Sequence, residues 1–155
     1  MQKPVLRTST LLSYYVRNSC SKDILGLNRS ISTTLCINNS FKVQSQQEFN
    51  ERVKKSKVPV VVDFFATWCN PCRMLTPRLE SVIAEKKGKV ILAKVDIDEH
   101  SDLALDYEVS SVPVLLAMRD GKVLERLVGL QDTDKLQKFV ENLVQAEGEL
   151  KKQSN

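Results

Sequence analysis

Two cysteines separated by two residues are the first chemistry the sequence offers. Trp68-Cys69-Asn70-Pro71-Cys72 follows the apolar run Val58–Ala66 and opens a segment with helical spacing. A cysteine at a helix N-terminus meets unsatisfied backbone amides and the positive end of the helix dipole, and both favour the thiolate. The thiolate is the species that attacks a disulfide. The spacing sets both sulfurs on the first helical turn, close enough to join. Pro71 suits that turn, because its missing amide would have had no intrahelical partner. Trp68 adds a flat apolar surface beside the nucleophile. The same spacing is also half of a zinc site, but a closed zinc site takes four ligands. The body offers only His100 and, if it persists after processing, Cys36, so no metal is expected. His100 itself reads as a solvated residue near a helix start.

Three further residues are costly unless they serve that pair. Asp63 interrupts Val60-Val61-Val62-Asp63-Phe64-Phe65, where burial should push a carboxyl upward and let it exchange a proton near neutral pH. Pro113 lies near the start of an apolar strand, Val112–Met118, where a missing amide needs a special reason. A cis Val112-Pro113 bond at a functional site is one such reason. Pro77 falls inside a helix, where it bends the axis and separates the Cys69–Cys72 turn from the packed remainder.

The elements that must hold these residues can be read from periodicity. Phe41–Val43 suits a short edge strand, and Ser45-Gln46-Gln47-Glu48 is a capping box that starts a helix with Phe49 and Val53 on one face. Val58–Ala66 reads as a central strand buried on both sides. A helix from about Asn70 carries the core stripe Leu75, Leu79, Val82 and Ile83. Lys89–Val95 is a second buried strand, about Glu99–Tyr107 a short helix, and Val112–Met118 a third long strand. Asp120-Gly121 turns it into Lys122–Val128. The last helix, Asp132–Gln145, places Leu136, Phe139, Val140, Leu143 and Val144 on one face, and the polar tail 147–155 is expected to fray. The order β-α-β-α-β-α-β-β-α predicts an α/β fold with parallel crossovers, a hairpin and a covering helix.

Charge separates the body from what precedes it. Of the formal +4, residues 1–40 hold five bases (Lys3, Arg7, Arg17, Lys22 and Arg29) against Asp23 alone, so residues 41–155 carry eighteen bases and eighteen acids. A neutral body has no long-range pull on phosphate backbones, which argues against nucleic acid. No apolar stretch reaches the ~18 to 20 residues of a membrane span. At ~100° per residue, Val5, Leu12 and Val16 fall together, with Lys3, Arg7 and Arg17 roughly opposite. A basic, acid-poor amphipathic segment rich in Ser and Thr is the form of a mitochondrial import leader. Arg29-Ser30-Ile31-Ser32 resembles the cleavage sites of such leaders. The expected organisation is a leader at 1–40, a domain at 41–146 and a tail at 147–155.

In order and spacing, the run Val62-Asp-Phe-Phe-Ala-Thr-Trp-Cys-Asn-Pro-Cys72, Pro77, Lys94-Val-Asp-Ile-Asp98, Ser111-Val-Pro113, Asp120-Gly121 and Val128-Gly129 resemble the thioredoxin family over about residues 41–145. Gly88–Val95 with Ala104–Gly129 looks most like its mitochondrial members. The resemblance implies the thioredoxin fold, a central mixed sheet flanked by helices on both faces, and a protein-disulfide reductase without a bound cofactor. It implies Cys69 as attacking thiolate, Cys72 as resolving cysteine, Asp63 as the buried acid that helps deprotonate Cys72, Lys94 as its neighbour and Pro77 as the helix-kink proline. Trp68, Asn70, Pro71, Val112, cis-Pro113 and Gly129 would form the docking surface for a target's extended chain. An NADPH-dependent thioredoxin reductase would return the electrons, and oxidised proteins such as peroxiredoxins would be targets. A monomer in the mitochondrial matrix is expected. Asn70 stands where the family usually carries Gly, and Phe65 and Val114 occupy positions that vary. Asn70 leaves dithiol chemistry intact but bears on redox potential, which raises a more oxidising exchange catalyst or isomerase as the rival enzyme. A non-catalytic binding subunit is the rival from another class.

Overall fold

The computed structural model describes residues 39–152, so all but the last two positions of the expected leader, Cys20 and Cys36 among them, lie outside the described residues, and Ser40 already belongs to the first strand. Five strands form one mixed sheet: β1 (Ser40–Lys42), β2 (Val60–Phe65), β3 (Ile91–Asp96), β4 (Val114–Arg119) and β5 (Lys122–Val128). Their order is β1-β3-β2-β4-β5. β1, β3 and β2 run parallel, whereas β4 is antiparallel to β2 and β5 to β4. The helices are α1 (Gln46–Phe49), α2 (Asn70–Glu85), α3 (Ser101–Asp106) and α4 (Thr133–Lys152).

Period-2 alternation along β2 divides the core. Val61 joins Leu75, Leu79, Leu136 and Phe139 in a layer beneath α2 and α4. Val60, Val62 and Phe64 join Phe49, Val53 and Leu103 in the opposite layer. Asp63 shares the face of Val61, so its carboxyl is directed toward the α2 side of the sheet. The three valines are thus a strand with both faces covered, as their continuity predicts.

Several local expectations need revision. The capping box forms, with the Glu48 amide donating to Ser45 Oγ at 3.1 Å, but the Glu48 carboxylate accepts from the amide of Gln44 at 2.8 Å. The helix it starts widens into a π-helix over Asn50–Lys54, and Phe49 and Val53 nevertheless both stay buried. His100 is not simply solvated. It precedes α3, and its ring nitrogen lies 2.9 Å from the carbonyl of Val43, tying α3 to the end of β1. The expected frayed tail is instead helical as far as Lys152. Pro113 stands one residue before β4, so its missing amide costs the ladder nothing.

Candidate active site at the N-terminus of α2

The site is built where the central strand meets α2. Cys69 is the N-cap of that helix, and its Sγ accepts the Cys72 amide at 3.2 Å. One of the orphan amides of the helix start is therefore satisfied by sulfur. Cys72 sits inside the first turn, and a disulfide joins the two residues with Cα atoms 5.3 Å apart. Both are almost fully buried, packed with Ala66 against Phe65, Ile97 and Val112. The two cysteines are not equivalent: only Cys69 has a sulfur that caps the helix.

The residues around the pair fall into a surface and a support. Trp68 is 64% exposed, and its indole donates to Asp98 Oδ2 at 3.0 Å. Asp98 is held in turn, because its amide donates to the buried Asp96 at 3.2 Å. The Val112-Pro113 peptide bond is cis, and the Pro113 carbonyl accepts the Gly129 amide at 2.8 Å. That bond joins the segment before β4 to the one after β5. Gly129 has φ +82°, with nothing within 4 Å of where a Cβ would stand. Asn70 and Pro71 are exposed on the first turn. Met74, Val128 and Leu130 are exposed apolar side chains that extend the surface on the same three segments. Among the described residues no hydrogen bond runs from Asn70 to either sulfur; the donor is the Cys72 amide.

Asp63 is completely buried. Its Oδ2 accepts the Thr76 hydroxyl at 2.9 Å, while no protein group among the described residues donates to Oδ1. Burial pushes its carboxyl up from 3.8 to about 6, against the Thr76 hydrogen bond and the Lys94 charge, with Glu80 adding to the rise. Lys94 is its cross-strand partner in the β2–β3 register. The lysine ammonium, however, is 2.8 Å from Glu80 Oε1, so it acts on Asp63 by charge and not by a bond. A cleft of about 450 Å³ opens alongside, lined by Cys72, Thr76 and Lys94 together with Lys42, Phe65 and Arg73. Arg73 closes the loop above with two bonds to the Thr67 carbonyl, at 2.7 and 3.2 Å. Pro77 lies inside α2 below the first turn, where Arg73 loses the amide partner for its carbonyl.

Thr76, Asp98 and Glu80 also belong to the site, although the sequence motifs do not include them as site residues. Thr76 had a signal: Cys72, Leu75, Thr76 and Leu79 follow the i, i+3, i+4, i+7 stripe, so a hydroxyl was being placed on the buried face of α2. Asp98 and Glu80 become partners only through the fold. Among the described residues, no group of three or more His, Cys, Asp or Glu side chains converges as a metal site.

Comparison with known proteins agrees with this geometry. The sequence profile of the thioredoxin family matches residues 40–142. The mitochondrial thioredoxin of Bos taurus is 53% identical over 116 residues, covering 75% of this chain and 70% of that protein. A probable thioredoxin-2 of Caenorhabditis elegans is 41% identical over 106 residues, covering 68% of this chain and 73% of its own length. Among solved structures, a single-site mutant of a thioredoxin from Halobacterium salinarum superposes with a TM-score of 0.63 at 39% identity, covering 69% of this chain and 93% of that one. The chain belongs to the thioredoxin family, as a thiol-disulfide oxidoreductase whose redox-active pair is Cys69 and Cys72.

Proposed function

We propose that Cys69 is the nucleophile, Cys72 the resolving cysteine and Asp63 the proton acceptor of a protein-disulfide reductase cycle. The Cys69 thiolate attacks one sulfur of a target disulfide, forming an intermolecular S–S bond and releasing the other target sulfur as thiolate. Cys72 gives its proton to Asp63 and attacks Cys69 Sγ. The intermolecular bond breaks, the second target sulfur leaves, and two electrons have passed to the target. The observation that carries the assignment is the Cys72 amide aimed at Cys69 Sγ at the helix N-terminus, since only that sulfur receives help in holding negative charge. Trp68, Asn70, Pro71, Val112, Pro113 and Gly129 would receive an extended segment of the target. Lys94 would bias Asp63 through charge, and Pro77 would set the first turn apart from the helix body.

The oxidised pair would be returned to the dithiol by a thioredoxin reductase drawing on NADPH, and the protein itself would carry no cofactor. Residues 1–40 would be a leader directing the chain to the mitochondrial matrix, in keeping with relatives named mitochondrial thioredoxins. Peroxiredoxins there would be among its targets.

The test is a trap. Cys72→Ser should accumulate mixed disulfides with target proteins, whereas Cys69→Ser should hold none, as read on non-reducing gels. Equal trapping by the two variants would overturn the division of roles.

A further inference from the structure

The two oxygens of the Asp63 carboxylate are in different situations. Oδ2 accepts the Thr76 hydroxyl at 2.9 Å, and Oδ1 is buried with no protein donor among the described residues. A helical threonine commonly turns its hydroxyl to a carbonyl of the preceding turn. Thr76 instead crosses from α2 to the central strand. It lies one turn beyond Cys72 on the same helical face, and both side chains line the same cleft.

We infer that Thr76 is a positioning residue for the proton step: its hydroxyl pins Asp63 by Oδ2 and leaves Oδ1 as the oxygen that takes the Cys72 proton. This rests on the reading of Asp63 as the base for Cys72. In the step the Cys72 S–H bond breaks and an O–H bond forms on Oδ1, with no change of oxidation state. A carboxylate free to rotate would divide its basicity between two oxygens and two orientations; the hydroxyl removes that choice. A donor at Oδ2 also stabilises the ionised carboxylate more than the acid, which opposes the rise caused by burial. Thr76 therefore sets both which oxygen reacts and how low the pH can fall before the base is lost.

The other groups facing Asp63 do not duplicate this role. From β3 comes Lys94, already bonded to Glu80 of α2 at 2.8 Å. From β4 the residue opposite is the apolar Leu115. Cys72 and Arg73 of α2 and Lys42 of β1 border the adjoining cleft, and Arg73 is engaged with the Thr67 carbonyl.

The experiment measures single-turnover reduction of a dye-labelled peptide disulfide by the pre-reduced full chain across pH 5 to 9. The comparison covers the natural protein, Thr76→Val, Thr76→Ser, Asp63→Asn and the Asp63→Asn/Thr76→Val pair. Thr76→Val should displace the Asp63-dependent limb of the profile upward by roughly one pH unit, about tenfold in rate on the limb. Thr76→Ser should restore it, and Thr76→Val should shift nothing in the Asp63→Asn background. Carbon NMR of the Asp63 carboxyl in the oxidised proteins should show the same upward displacement, a readout that does not depend on turnover. A limb that vanishes with Asp63→Asn but is unmoved by Thr76→Val overturns the inference alone. A limb that persists unchanged in Asp63→Asn overturns the role of Asp63, and the inference with it.

Discussion

Asp63 carries a cost that can be measured apart from catalysis. Burial raises its carboxyl from 3.8 to about 6, so between those values the folded chain keeps a proton that the unfolded chain has released. Stability from this group is therefore lost as pH rises from about 4 to about 6, and the loss is complete above that window. A shift of this size corresponds to about 3 kcal/mol. Asp63→Asn should stabilise the fold by that order at pH 7 and by little at pH 4, as read from urea unfolding at both values. An equal gain at both would mean that the cost is not one of ionisation. Asn70 poses the opposite case, a departure from the family pattern with little electrostatic reach. Cys69 Sγ accepts its hydrogen bond from the Cys72 backbone, which is present whatever residue stands at position 70. Asn70→Gly should leave the Cys69 thiolate titration, followed by its ultraviolet absorbance, nearly unmoved; a clear rise in its pKa would show that the amide does reach the sulfur. Asp63 was legible in the sequence because an acid in an unbroken apolar strand has few explanations. The Trp68–Asp98 bond was not, because it spans thirty positions and only the β3–α3 turn brings its ends together.

At the level of elements, two glycines with similar backbone but different surroundings separate strain from collision. Gly121 (φ +74°) turns β4 into β5, and a Cβ there would stand 3.2 Å from the Lys54 carbonyl. Gly129 (φ +82°) has open space on that side. An L-residue in this conformation costs roughly 1 to 2 kcal/mol from the backbone alone. Gly129→Ala should lose about that much, and Gly121→Ala more, because a rigid carbonyl must also give way. Thermal unfolding of the two variants checks the ranking, and a reversed order would show that the turn relaxes away from Lys54. The same hairpin shows where periodicity misleads. A bulge between Ala117 and Met118 opposes Ala117 to Glu125 but Met118 to Val123, so Val123 and Leu124 are both outward. Nothing in Lys122–Val128 announces the extra residue. The switch of α1 into a π-helix was equally silent, because the altered hydrogen-bond register leaves Phe49 and Val53 on the buried side. Strands β2 to β4 were legible to within two or three residues because both of their faces are covered, and continuous apolar runs have little other use.

For the molecule as a whole, the charge division argues most directly about where the chain goes. The body from residue 41 is neutral and the first forty residues hold the entire excess of +4. Three of those charges, Lys3, Arg7 and Arg17, fall on one side of a helical wheel opposite Val5, Leu12 and Val16. A positive charge drawn across a membrane toward a negative interior gains about 2.3 kcal/mol per 100 mV, so three gain about 7 kcal/mol per 100 mV. An apolar stripe alone would bind a membrane surface without direction; in an import leader the bases would supply it. A reporter fused behind residues 1–40 should therefore enter mitochondria, and replacing Lys3, Arg7 and Arg17 by Gln should leave it in the cytosol while the apolar stripe is untouched. Collapsing the membrane potential should block the natural fusion in the same way, by removing the field instead of the charges. Import that survives the triple replacement would show that the basic face is not the signal.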